Sequence, residues 1–322
     1  MSQPLRARLS PDDANACTFI ESAGGGSIIH HITSYGGWDP VPFQRAFTLS
    51  AGWVPVTTDQ QQVDSAKHFL DYLNVTTIQE AQEASTESAI LANAMAIRAA
   101  PWSTFRYGPV VDSLYVPDHP SILLHDGDFR ADVSVMTGHV MDESSLFTPP
   151  FVKTDQDLTD FLYGLYPTAE DGVVDYMVDN LYPDPGIKRT MKILSDIGFV
   201  CNVNYLRKAF CGQTYNYKFR IPPAIHSSDM AYVFYNGPGP DEVDGGLYDG
   251  PLGPVIVEVA LVLQQYVVNF IKYGDPNGPG LPLFPRADEN TTMLTIDTDG
   301  MGVAAADTDN ERCEWLQSVP YG

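Results

Sequence analysis

Short apolar segments alternate with helical patterns along most of this sequence, and the alternation constrains the fold strongly. Each apolar segment is rich in β-branched or aromatic residues, as buried strands are. Strands that alternate with helices usually form a mainly parallel sheet with flanking helices, so we expect an α/β fold. The predicted strands cover residues 16–20, 46–49, 133–137 and 215–219. The predicted helices cover residues 27–35, 60–73, 86–99, 156–166, 172–181, 187–197 and 253–273.

The stretch from residue 154 to residue 210 breaks the alternation, because it contains helical patterns and no predicted strand. We expect this stretch to form a helical cap over the sheet. No internal repeat is visible, and 322 residues are enough for one large buried core. Residues 1–322 are therefore expected to form a single domain that includes the cap.

The chain is strongly acidic, with 18 basic and 41 acidic side chains and a formal net charge of −23. Nucleic acids and anionic membrane surfaces would repel such a chain, so neither is expected as a partner. The longest apolar run, residues 253–273, contains Glu258 and Gln264, which argues against a membrane span. We expect a buried helix there, with Gly274 as its C-cap.

Residues 19–27 (FIESAGGGS) place a serine between a predicted strand and a predicted helix. This is the setting of a nucleophile elbow, a tight strand-to-helix turn that exposes a serine hydroxyl above the sheet edge. Ser22 would be the nucleophile, and the N–H of Ala23 would be an oxyanion-hole donor. Ile20 departs from the G-x-S-x-G pattern and is expected to crowd the turn. The alternative is a plain turn or a glycine-rich phosphate loop, although residues 24–35 contain no lysine.

The sequence ESAGG at residues 21–25 resembles the elbow of the type-B carboxylesterases, the cholinesterase-like branch of the α/β hydrolases. Further segments resemble this family in the same order, and the fungal secreted members are the most similar in pattern. These segments are residues 42–46, 107–112, 138–143, 195–201, 224–229, 272–277 and 313–315. The resemblance implies an α/β-hydrolase sheet, hydrolysis of small-molecule or lipid esters, and no cofactor.

The resemblance also implies a catalytic triad of Ser22, Glu143 and His226. A serine, then an acid, then a histidine is the chain order of the α/β hydrolases. In such a triad the histidine takes the serine proton, while the acid fixes the imidazole tautomer. Asp142 and Asp229 are rival acids, and we expect Asp229 to be a structural loop residue.

The family also implies a disulfide between Cys201 and Cys313, with Cys201–Cys211 as the competing bridge. Cys17 lies in a predicted core strand, where we expect a buried free thiol. No pair of cysteines or histidines has the spacing of a zinc site, so no metal is expected.

Two N-x-S/T sequons begin at Asn74 and Asn290, and both would be candidate glycosylation sites in a secreted protein. Residues 1–16 contain no apolar core of the kind that a secretory signal requires. The cellular location and the oligomeric state are therefore left open.

Members of the family normally carry an N-terminal part with the first strands and a Gly-Gly loop that supplies further oxyanion donors. Nothing resembling that loop precedes Ser22. We therefore expect an N-terminally truncated member whose sheet lacks those strands. Three hypotheses follow: a working esterase, an inactive relative that keeps the triad, and a noncatalytic binding module.

Overall fold

A computed structural model describes residues 17–52, 59–104, 107–237, 255–288 and 291–318 of the chain. These residues form a six-stranded sheet in which the strands follow one another in sequence order. Strands β1 to β5 are parallel, and β6 runs antiparallel to β5. The strands are β1 (Cys17–Glu21), β2 (Arg45–Leu49), β3 (Ser134–Val140), β4 (Tyr215–Phe219), β5 (Thr292–Asp297) and β6 (Gly300–Ala305). The α/β fold class with a mainly parallel sheet is thus confirmed.

Twelve α-helices connect and flank these strands in the described part of the chain. They are α1 (Ala23–Thr33), α2 (Asp59–Leu73), α3 (Ile78–Gln82), α4 (Thr86–Arg98), α5 (Pro120–Asp126), α6 (Asp155–Leu165), α7 (Val173–Tyr176), α8 (Ile187–Ser195), α9 (Cys201–Ala209), α10 (Met230–Val233), α11 (Val257–Tyr273) and α12 (Glu311–Ser318). Gly274 ends α11 with a φ of 72°, in the left-handed conformation expected of a C-cap. No described helix combines the length and the apolar character needed to cross a membrane.

Two apolar clusters cover the two faces of the sheet, because successive side chains of a strand point to opposite faces. Ala46 belongs to the cluster that also contains Ile28, Ile29 and Ile32 of α1. Its neighbour Phe47 belongs to the cluster on the other face, together with side chains of α11. The fully buried members contributed by α11 are Ala260, Leu263, Tyr266 and Phe270. The sheet is therefore covered on both faces, as parallel sheets are.

The segment between β3 and β4 contains the helices α6 to α9 and no strand, in agreement with the helical character predicted for residues 154–210. Buried side chains of α6, α8 and α9 share one apolar cluster with α1, which lies against the sheet. Two assignments stay predictions: that this segment is a cap, and that residues 1–322 form one domain.

Cys201 and Cys313 form a disulfide that joins the start of α9 to α12, and their Cα atoms lie 5.1 Å apart. The competing Cys201–Cys211 bridge is therefore wrong, and Cys211 is an exposed free thiol. Cys17 is also free, but it is half-buried rather than buried. Its strand, β1, pairs only with β2 among the described residues, which leaves one side of the strand less covered.

Candidate active site

Ser22 occupies a tight turn between β1 and α1, as the sequence predicts for a nucleophile elbow. Its backbone has φ 57° and ψ −124°, a left-handed conformation that is strained for a residue with a side chain. Three backbone hydrogen bonds hold this turn. The N–H of Ser22 donates to Leu49 O at 2.9 Å, and Ser22 O accepts from Gly26 N and Gly52 N, each at 3.0 Å. The strained conformation is thus fixed by β2 and by the loop that follows it.

Ile20 lies beside this turn without blocking it. Its side chain is 48% exposed and passes over Gly24, the second residue of α1. A Cβ atom on Gly24 would lie 2.4 Å from Cγ2 of Ile20, well inside van der Waals contact. The crowding that we expected from Ile20 is therefore relieved by the missing side chain at Gly24.

The structure brings Ser22, His226 and Glu143 together from three separate parts of the chain. Ser22 Oγ lies 2.8 Å from His226 Nε2, and His226 Nδ1 lies 2.6 Å from Glu143 Oε2. The other carboxylate oxygen, Glu143 Oε1, accepts a hydrogen bond from the N–H of Val140 at 2.8 Å. Glu143 is fully buried, and its position directly beyond β3 gives the carboxylate this fixed orientation.

The His226 ring is also held by aromatic neighbours. Its centroid lies 4.6 Å from the Phe199 ring and 5.1 Å from the Phe147 ring. His226 is 4% exposed, so its ring is largely shielded from bulk solvent. Packing and hydrogen bonding together leave the imidazole one orientation, with Nε2 directed at Ser22.

A second carboxylate contacts the same imidazole. Glu21 Oε1 lies 3.1 Å from His226 Nε2 and also accepts a short hydrogen bond from Ser227 Oγ. Burial lowers the pKa of His226, but the hydrogen bond and charge of Glu143 and the charges of Glu21 and Asp229 outweigh burial. The pKa of His226 is therefore raised above its ordinary value. Sequence reasoning identified Glu21 only as part of the elbow sequence, and did not foresee its contact with His226.

The rival acids lie close by but do not contact His226 Nδ1, where Glu143 is bound. Asp229 is fully buried and accepts a short hydrogen bond from the hydroxyl of Tyr217. Burial raises the pKa of Asp229 to about 7. Asp142 is joined to the histidine loop through its backbone, because its N–H donates to Ala224 O at 2.9 Å.

A cavity of about 300 Å³ opens directly at Ser22. Residues of α1 and the segment 107–109 both line it, and that segment is part of residues 107–112, one of the stretches that resemble the family. The lining residues are Ser22, Ala23, Gly26, Ser27, His30, Gly52, Tyr107, Gly108, Pro109, Gly198 and Phe199. The N–H of Ala23 is the first of α1, and such groups have no partner within a helix, so it can donate to a ligand here.

The remaining predicted sites lie away from this cavity or outside the described residues. Asn74 is exposed at the turn that follows α2, while Asn290 lies outside the described ranges. Within those ranges no group of three or more histidine, cysteine, aspartate or glutamate side chains is arranged to hold a metal ion.

A serine on a strained strand-to-helix turn, hydrogen-bonded to a histidine that follows a parallel strand, is the arrangement of the α/β-hydrolase class. Solved structures agree with this class. The Aspergillus niger esterase EstA superposes with a TM-score of 0.78 over 94% of this chain and 63% of its own, at 18% identity. At this level of sequence identity, the structural similarity shows a shared fold.

The sequence profile of the carboxylesterase family matches residues 12–315, and the chain belongs to this family. The carboxylesterase patB of Aspergillus clavatus is 31% identical, and the match covers 93% of this chain and 54% of patB. The inactive carboxylesterase-like protein VdtD of Byssochlamys spectabilis is 24% identical and matches 69% of this chain and 46% of VdtD. The chain thus spans about half the length of the curated relatives that it matches.

Proposed function

We propose that the protein hydrolyses carboxylic esters with Ser22 as nucleophile, His226 as general base and acid, and Glu143 as the acid of the triad. The hydrogen-bonded series Ser22–His226–Glu143, with separations of 2.8 and 2.6 Å, carries this proposal. A serine hydroxyl is a weak nucleophile, and a base within hydrogen-bond distance is what makes it reactive. Membership of the carboxylesterase family supports the same chemistry.

In the first half of the reaction, Ser22 Oγ attacks the ester carbonyl carbon while His226 Nε2 takes the hydroxyl proton. The carbonyl becomes a tetrahedral oxyanion that accepts a hydrogen bond from the N–H of Ala23. The C–O bond to the alcohol then breaks, and His226 gives its proton to the departing alcohol oxygen. The acyl group stays on Ser22 as an ester.

In the second half, His226 Nε2 removes a proton from a water molecule that attacks the acyl carbon. The second tetrahedral intermediate collapses, the bond to Ser22 Oγ breaks, and the proton returns to this oxygen. The carboxylic acid leaves and the starting state is restored. Glu143 accepts a hydrogen bond from Nδ1 throughout, which keeps Nε2 available and stabilises the imidazolium in both halves.

A noncatalytic role is the second candidate, because a relative that matches 69% of this chain is described as inactive. Removing one oxyanion donor lowers rates by about 10²–10³-fold in other enzymes. Ala23 would supply one such donor from α1. The two candidates differ in whether this donor stabilises the oxyanion enough for turnover.

Reaction of the purified protein with a fluorophosphonate probe separates these candidates. The esterase proposal predicts stoichiometric labelling of wild type, no labelling of Ser22→Ala, and hydrolysis of p-nitrophenyl butyrate by wild type only. A matched control, Ser88→Ala, changes an exposed serine of α4 that does not line the cavity and should still be labelled. Equal background hydrolysis by wild type and Ser22→Ala, with no labelling of either, would support the noncatalytic candidate.

A further inference from the structure

One face of α1 forms a continuous wall of the cavity at Ser22. The residues of this helix that line the cavity are Ala23, Gly26, Ser27 and His30. They are spaced i, i+3, i+4 and i+7, the spacing of side chains on one side of a helix. The cavity therefore follows the helix axis away from the serine hydroxyl.

The side chains that form this wall differ in size along the helix. The first three positions carry a methyl group, a hydrogen atom and a hydroxymethyl group, which leave room beside the helix. At the fourth position the wall carries the larger imidazole of His30, a residue that is 7% exposed. With a rise of about 1.5 Å per residue, the eight residues from Ser22 to His30 correspond to about 12 Å of helix axis. His30 thus lies at the end of the wall that is farthest from the nucleophile.

The other sides of the cavity suit an aliphatic chain. Phe199 and Pro109 present apolar surfaces, and the volume of about 300 Å³ is at the small end of ligand sites. Burial and the neighbouring His31 lower the pKa of His30 to about 4, so its ring is uncharged at neutral pH. An uncharged ring can contact a methylene chain without leaving an ionic charge unsolvated.

The two halves of an ester place different demands on their surroundings. The alcohol must leave before water attacks, so it needs an open path to solvent. The acyl group stays bonded to Ser22 Oγ, so it can occupy a cavity that ends at a buried side chain. We propose that the α1 wall is an acyl-chain subsite and that His30 sets the longest acyl chain it accepts. This inference rests on the proposed ester hydrolysis.

The test compares kcat/KM for p-nitrophenyl decanoate and p-nitrophenyl butyrate. In His30→Ala the decanoate-to-butyrate ratio should rise by about tenfold or more, because one methylene in a fitted pocket already changes kcat/KM by about 10–200-fold. In Ser27→Leu, which narrows the middle of the wall, the ratio should fall. His31→Ala is the matched control, since His31 is exposed and bonds Tyr115 Oη at 2.8 Å. Its ratio should equal that of wild type.

Varying the alcohol instead of the acyl chain tests the assignment of the subsite. Butyl and decyl acetates should be discriminated equally by wild type and His30→Ala. An unchanged acyl ratio in both His30→Ala and Ser27→Leu, or a response to alcohol length alone, would overturn the proposal.

A binding measurement separates this inference from the proposed function. If wild type hydrolyses none of these esters, calorimetry with butyrate and decanoate as free acids still tests the subsite. His30→Ala should then bind decanoate at least about tenfold more tightly than wild type, with little change for butyrate. Equal decanoate affinities would contradict the subsite, whatever the activity. Circular dichroism of each variant verifies that it is folded.

Discussion

The two ring nitrogens of His226 have different partners, and the difference determines what Glu21 can do. Nδ1 donates to Glu143, so in the neutral ring Nε2 carries a lone pair directed at the Ser22 hydroxyl. A lone pair and the Glu21 carboxylate, 3.1 Å away, repel each other. Once Nε2 is protonated, the same contact becomes an ion pair. Glu21 therefore stabilises the imidazolium that forms when Ser22 loses its proton.

Replacing Glu21 by glutamine should lower the apparent pKa of the rising limb of kcat/KM against pH. The base must be neutral to act, and the charge of Glu21 contributes to the raised pKa of His226. Without this charge, His226 becomes neutral at lower pH, so the limb moves toward acid. Glu258→Gln, on the exposed side of α11, is the control and should leave the limb in place. An unchanged or higher apparent pKa in Glu21→Gln would contradict this role.

The acid of the triad can be tested against its rival. Glu143→Gln should reduce kcat by about 10⁴-fold, because an amide cannot enforce the tautomer or stabilise the imidazolium. Asp229→Asn keeps an oxygen that can accept from Tyr217 and should retain activity within about tenfold of wild type. Single-turnover hydrolysis of p-nitrophenyl butyrate measures both. The reverse pattern would assign the acid to Asp229.

Among the elements, β1 and α1 are joined by a turn that depends on one pair of neighbours. Ile20 belongs to the strand and Gly24 to the helix, and their contact allows a branched residue two positions before Ser22. The pair explains how this elbow tolerates a departure from G-x-S-x-G.

Gly24→Ala should destabilise the protein by about 1–3 kcal/mol, since the new methyl group overlaps Ile20. In an Ile20→Ala background the same substitution should stabilise it by up to about 1 kcal/mol, because alanine favours helix over glycine. Urea unfolding of the four proteins measures this change of sign. Additive effects of the two substitutions would show that the contact does not matter.

Sequence reasoning located β1 to β4, because each is a short segment rich in apolar, β-branched or aromatic residues. It missed β5 and β6, where threonine, aspartate, alanine and glycine dilute the pattern. It also started α1 at residue 27 instead of Ala23, since three successive glycines disfavour a helix on propensity alone. The elbow imposes the helix there, because the chain must turn directly after Ser22.

Part of the site could also be predicted from the sequence. The elbow is a local sequence, so Ser22 was evident, and the order of serine, acid and histidine followed from resemblance. The contact of Ser227 with Glu21 joins residues 206 positions apart, and the cavity along α1 is also lined by residues far from this helix in sequence, such as Tyr107 and Phe199. Such arrangements come from tertiary packing and leave no pattern in either segment alone.

At the scale of the whole molecule, the Cys201–Cys313 disulfide joins positions 112 residues apart. Both sulfur-bearing side chains are fully buried, and α12 also contacts the α8–α9 region through the ion pair of Arg312 with Asp196, whose side chains lie 2.9 Å apart. A crosslink that closes so long a loop restricts the unfolded chain strongly.

Cys313→Ser should lower the free energy of unfolding by about 2–5 kcal/mol, as the loss of a native disulfide commonly does. Cys211→Ser, which removes an exposed free thiol, should change it by no more than about 0.5 kcal/mol. Chemical denaturation without reductant measures both variants. Equal stability of Cys313→Ser and wild type would mean that noncovalent contacts alone hold α12.

The same disulfide has a consequence for limited proteolysis. The covalent loop that it closes, residues 201–313, includes His226 but neither Ser22 nor Glu143. A single peptide-bond cleavage inside this loop therefore leaves one covalently connected molecule. Denaturing electrophoresis would show this molecule as one band without reductant and as two fragments after reduction. A cleaved preparation can therefore be distinguished from intact protein only when a thiol reductant is added.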